Sequence, residues 1–139
     1  GNRTKKLNYN FVNEPDLAQT FVVTCVLLNI PFRFTGLQSL KIKETDRIEA
    51  LKTELRKLGY LLAMRGDSIL EWNGERCEPQ AHPVIATYED HRMAMAFAPA
   101  ALVLPEGIEI ADPQVVSKSY PHYWRDLRTA GFIIIDNEQ

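Results

Sequence analysis

Apolar and polar positions change period several times along the chain, and each change marks a predicted element. Leu7-Asn8-Tyr9-Asn10-Phe11 alternates and predicts a strand, with the polar, basic residues 1–6 as a frayed lead-in. Pro15 suits the first turn of a helix, with Asn13 or Glu14 as its cap. The segment Asp16–Asn29 is apolar nearly all round, so this helix is expected to be buried on most faces. Ile30-Pro31 ends it, and Phe32-Arg33-Phe34 predicts a second strand that stops at Gly36. In the next helix Asp46 is the expected N-cap, with Glu49 as its capping-box partner. Ile48, Leu51, Leu55 and Leu58 form the apolar stripe, Arg56 and Lys57 suit the last turn, and Gly59 suits C′. Tyr60–Arg65 and Ser68–Trp72 flank Gly66-Asp67 as a hairpin, and Asn73-Gly74 makes a further turn.

The pattern then starts again. Val84–Tyr88 predicts a strand, and Asp90 opens an apolar helix over His91–Leu104 that Pro99 is expected to kink near Met95. Gly107–Ala111 predicts a strand, Ser119 or Tyr120 caps a helix ending at Gly131, and Ile133–Ile135 closes as a strand. Equivalent positions keep their spacing: Asp16 and Asp90 are 74 apart, Lys43 and Lys118 75, Gly59 and Gly131 72. The fold class is therefore α/β, built from a duplicated unit with approximate repeats 7–75 and 76–139.

A length of 139 residues fits one domain or part of one, and 45% apolar residues can fill a core. Lys+Arg 16 against Asp+Glu 18 leaves −2, which argues against a nucleic-acid or anionic-membrane binder but allows a local basic pocket. No run reaches the roughly 20 apolar residues that span a bilayer. Cys25, inside an apolar run and 52 positions from Cys77, reads as a buried free thiol in a reducing compartment. No signal peptide is visible, and a cytoplasmic protein is expected. The first residue is Gly, so either the natural start has been removed or the chain is a piece of a longer protein.

Candidate chemistry gathers at helix starts. Lys41-Ile42-Lys43-Glu44-Thr45-Asp46-Arg47 puts a cation at a first helical position, where the dipole disfavours one. Either this is a solvated charged loop with a cap, or an anion binds there between the guanidinium and the backbone N–H groups. Tyr88-Glu89-Asp90-His91-Arg92 repeats the geometry; its plain alternative is a capping Asp90 with Arg92 paired to Glu89. Lys118 precedes a third helix and is either solvated or a point-charge phosphate ligand. Asp16, just after Pro15, suits a first-turn dipole complement. His82, His91 and His122 lack close ligand spacing, so no metal site is expected.

Several of these segments resemble one family. Ser39-Leu40-Lys41-Ile42-Lys43-Glu44-Thr45-Asp46-Arg47-Ile48, followed by Thr53–Gly59, is similar to the signature of the EPSP synthases, the 3-phosphoshikimate 1-carboxyvinyltransferases. Asp90-His91-Arg92-Met93-Ala94-Met95-Ala96 resembles their second signature. Glu14-Pro15-Asp16-Leu17-Ala18 and Asp112–Tyr123 resemble two further motifs. The resemblance implies two tandem βαβαββ units of an enolpyruvyl-transferase inside-out barrel, belonging to the C-terminal domain. The N-terminal domain would be absent from these 139 residues, and the piece alone is expected to be inactive.

It further implies transfer of the enolpyruvyl group of phosphoenolpyruvate to the 5-hydroxyl of shikimate 3-phosphate, with release of phosphate and no cofactor. Asp16 matches the carboxylate that contacts the shikimate hydroxyls and serves as base. Lys43 matches a shikimate-3-phosphate contact, and Ser39 stands where some members carry a shikimate-contacting Asn. Glu44 matches the carboxylate that shuttles a proton at the enolpyruvyl methylene. Arg47, His91, Arg92 and Lys118 match the phosphoenolpyruvate-binding set. The alternatives are a related enolpyruvyl transferase acting on a nucleotide sugar, and a non-catalytic module that keeps the fold.

Overall fold

The structure, a computed structural model, describes residues 6–42, 46–100 and 109–111. Strand β1 (Leu7–Asn10) leads through a 3-10 turn (Pro15–Leu17) into α1 (Ala18–Leu27), and β2 (Phe32–Thr35) follows. A second 3-10 turn (Gln38–Ile42) precedes α2 (Arg47–Lys57), and β3 (Ala63–Arg65) and β4 (Ile69–Trp72) form a hairpin. The sheet order is β1-β2-β4-β3, with β1 parallel to β2 and the other pairs antiparallel. This is one complete βαβαββ unit. A second parallel pair, β5 (Val84–Ile85) and β6 (Glu109–Ile110), brackets α3 (His91–Phe97). Leu7 pairs with Phe32 and Val84 with Glu109, a separation of 25 positions in both cases. The start of the first unit is thus repeated in register, and α1 packs against α3.

Period-two alternation divides the sheet into an apolar and a charged face. Phe32 sits opposite Trp72 and Phe34 opposite Leu70, all buried in one core with Phe11, Leu37 and Leu40. On the other face Arg33 sits opposite Glu71, whose carboxylate accepts from Arg65 Nε at 2.7 Å and Lys6 Nζ at 3.2 Å. The bond from Arg65 does most to hold the Glu71 carboxyl below its ordinary 4.5; Lys6 adds to it, against the opposing effect of burial. Below 4.5 the unfolded chain takes up this proton first. The bonded carboxylate's contribution is therefore present above 4.5 and lost as pH falls through the lower folded value. Melting Glu71→Gln beside the parent sequence between neutral and acid pH is expected to show a flatter acid limb in the variant. Equal slopes would dismiss this role.

Helix α2 follows its sequence signals. Asp46 Oδ1 accepts from Glu49 N at 3.1 Å, although the Glu49 carboxylate pairs with Lys52 instead of returning to the cap. At the other end Gly59 (φ +99) lets Tyr60 N reach Leu55 O and Gly59 N reach Arg56 O, both at 3.0 Å, a Schellman closure. Gly36 (φ +74) has a different task. A Cβ there would lie 2.5 Å from Val12 N, so only glycine lets the 11–14 loop close over the end of β2 and set the Pro15 turn.

Two expectations are refined and two are corrected. Helix α1 buries six of its ten residues, as expected, but leaves Phe21 exposed, with Leu17 and Leu28 exposed at its two ends. Glu14 stands at the cap position without a capping bond, because its carboxylate is engaged by the Tyr9 hydroxyl. The strand at Val84 stops at Ile85, since Tyr88 and Glu89 are left-handed (φ +57 and +55). Helix α3 is interrupted after Phe97 and helix resumes at Ala100, the break falling where Pro99 supplies no N–H to the Met95 carbonyl; the rest of the expected helix to Leu104 lies outside the described residues. The 3-10 turn at Gln38–Ile42 is an element the sequence pattern did not reveal. The expected helix from Ser119 and the strand Ile133–Ile135 lie outside the described residues.

Candidate active site

Three element starts converge on a cluster of charges. Asp16 is carried by the 3-10 turn before α1, Arg47 is the first residue of α2, and Asp90, His91 and Arg92 begin α3. Arg47 is 3% exposed and Asp90 1%. The Arg47 guanidinium grips Asp90 bidentately, Nε to Oδ2 at 2.6 Å and Nη2 to Oδ1 at 3.2 Å. Its Nη1 reaches Asp16 Oδ1 at 3.1 Å. The other Asp16 oxygen lies 3.8 Å from Arg92 Nη2. Asp90 Oδ1 also accepts from Arg92 N at 2.9 Å, so one carboxylate caps α3 and neutralises α2's first residue.

This arrangement explains the cation at the start of α2. Anions do sit there: Asp90, 43 positions along the chain, and Asp16. The fork geometry and charge assistance make the Asp90 contact strong, and it ties the second repeat to the first. Arg92 is not paired to Glu89, as the plain alternative had it; its guanidinium turns toward Asp16. The side chains of Asp16 and Arg92 are 43% and 39% exposed, and His91 is half-buried. Asp16, His91 and Arg92 thus form an open edge above a sealed Arg47–Asp90 floor. A phosphate or carboxylate could dock on that edge, beside a carboxylate able to take a proton.

Ser39 is half-buried in the 3-10 turn ahead of α2. Lys43, Glu44 and Lys118 lie outside the described residues. Among the described residues no cluster of His, Cys, Asp and Glu could hold a metal ion, and no helix is long and apolar enough to cross a membrane. Cys25 is free and buried, with burial pushing its thiol up, and Cys77 is free and half-buried.

Sequence reasoning missed Glu54. It is 1% exposed on α2 and accepts from Lys57 Nζ (2.6 Å), Ala86 N (2.9 Å) and Tyr88 Oη (2.6 Å). A signal was present: Glu54 stands three residues after Leu51 and four before Leu58, on the apolar stripe itself.

Residues 3–127 match the family described as EPSP synthase (3-phosphoshikimate 1-carboxyvinyltransferase). The chain is 70% identical over its full 139 residues to a 3-phosphoshikimate 1-carboxyvinyltransferase of Bacteroides fragilis, covering 34% of that protein. It is 40% identical over 118 residues to the protein of the same name from Rhizobium etli, covering 84% of this chain and 28% of that one. The fold is similar to a solved EPSP synthase structure from Acinetobacter baumannii, with a TM-score of 0.69 and 24% identity over 84% of this chain and 27% of that one. The chain spans about a third of the length of the curated relatives it matches, 34% in the B. fragilis case.

Proposed function

The chain belongs to the EPSP synthase family, and from that premise we propose that it is part of the C-terminal domain of an enolpyruvyl transferase. The whole protein would transfer the enolpyruvyl group of phosphoenolpyruvate to the 5-hydroxyl of shikimate 3-phosphate and release phosphate. The observation that carries this reading is the open edge, where the Asp16 carboxylate faces Arg92 beside His91 at three converging element starts. Asp16 would orient the shikimate hydroxyls and accept the 5-hydroxyl proton. Arg92, His91 and Lys118 would hold the phosphoenolpyruvate anions, with Arg47 backing them from below. Lys43 and Ser39 would contact shikimate 3-phosphate, and Glu44 would move the proton at the methylene carbon. The charge that develops in the addition intermediate would meet fixed guanidinium groups, which stabilise it without reorganisation.

The two repeats, 7–75 and 76–139, would form one wall of a cleft whose other wall is an N-terminal domain elsewhere in the protein. The equal 25-position strand pairings support the repeat. A cytoplasmic site for the enzyme belongs to the same reading, in keeping with two free cysteines.

The test is phosphate release by the full-length protein with both substrates, with the 139-residue chain alone as the comparison. The full-length protein is expected to turn over and the isolated chain not to, because one wall can neither complete the anion clamps nor exclude water. Arg92→Ala in the full-length protein is expected to raise KM for phosphoenolpyruvate ~10- to 100-fold, the scale of a hydrogen bond to a charged group. No activity in the full-length protein, or unchanged KM in the variant, would refute the assignment.

A further inference from the structure

The approach to His91 and Arg92 is a strained turn. Asp90 N donates to Thr87 O at 2.8 Å, closing a four-residue turn whose central residues, Tyr88 and Glu89, both have positive φ (+57 and +55). Turns of that sign normally draw glycine or asparagine, since a Cβ disfavours the left-handed region. Neither central residue here is of that kind, so the surroundings must hold the turn. The holder is Glu54. Its Oε1 accepts from Ala86 N, its Oε2 from the Tyr88 hydroxyl, and Lys57 bridges Glu54 Oε1 to Val84 O at 3.0 Å. A nearly sealed carboxylate on α2 thereby grips the segment that delivers α3 at Ala86 and at Tyr88.

We propose that Tyr88 and Glu54 are positioning residues: their hydrogen bond pins the left-handed turn and so sets where His91 and Arg92 meet the substrate phosphate. The part concerning substrate rests on the proposed function. Tyr88's own state fits the geometry. Although 37% exposed, it has its hydroxyl pKa pushed up to about 12, first by burial and then by the Glu54 bond and charge. The donor proton therefore stays on the phenol at any working pH.

The experiment uses the full-length protein and Tyr88→Phe, which keeps the ring and removes only the donor. Amides 86–92 are expected to exchange about tenfold faster, as befits loss of one bond to a charged acceptor, while the remaining amides keep their rates. KM for phosphoenolpyruvate is expected to rise by about the same factor, with KM for shikimate 3-phosphate changing less than about twofold. Glu54→Gln keeps the shape but offers a single acceptor oxygen, and it should move both readouts the same way. Unchanged exchange at 86–92 would overturn the clamp. Faster exchange throughout, with both KM values rising together, would overturn it too, leaving only a stability role. Absence of turnover in the unmutated protein would remove the functional reading alone, because the exchange data need no substrate.

Discussion

Asp16→Asn in the full-length protein is expected to lower kcat at least ~100-fold, the usual scale for a general acid–base group. The replacement is isosteric. An Asn carbonyl oxygen can still accept from Arg47 Nη1, now 3.1 Å from Asp16 Oδ1, so the floor of the site should survive. What disappears is the capacity to take a proton, together with the charge facing Arg92 at 3.8 Å. KM values should therefore change less than kcat, the pattern of an interaction made mainly in the transition state. Circular dichroism and melting of the variant separate this from unfolding. Glu44→Gln is expected to behave alike, as the second proton-handling carboxylate. A variant with near-normal kcat would strip that residue of its proposed role.

What was legible in the sequence, and what was not, follows from the range of the interactions. Local signals placed α2 almost to the residue, because its cap, stripe and closing glycine are satisfied within a few positions. The start of a second unit was also legible, since Asp16 and Asp90 stand 74 positions apart just before and at the start of helices that the structure shows. The left-handed turn at Tyr88-Glu89 was not, because neither residue prefers it and its cause lies on α2, more than 30 positions away. Exposure of Phe21 escaped for a related reason. Composition says a helix is apolar, but only the arrangement of neighbours says which sides are covered. Arg47 stood out as a cation in an unfavourable place, yet nothing local could show that its bidentate partner was Asp90. Periodicity reports local order, while the site is assembled by long-range pairs.

That long-range pair is also where the largest loss of stability is expected. Asp90→Ala leaves the guanidinium of Arg47, 3% exposed, without its bidentate partner. Removing one member of a buried pair typically costs about 3–5 kcal/mol, and the lower end is expected here because Asp16 still accepts from Arg47 Nη1. Loss of the α3 cap adds about 1 kcal/mol. Asp90→Asn separates the two contributions: an amide oxygen can still cap Arg92 N, now bonded at 2.9 Å, but brings no charge to Arg47. Its cost should therefore fall below that of Ala by roughly the capping contribution of ~1 kcal/mol. Arg47→Ala should be at least as damaging as Asp90→Ala, and the double variant less than their sum, since the shared bidentate contact is then counted once. Urea midpoints at constant slope give all four values. If Asp90→Ala cost less than about 1 kcal/mol, the pair would be no stronger than a surface ion pair.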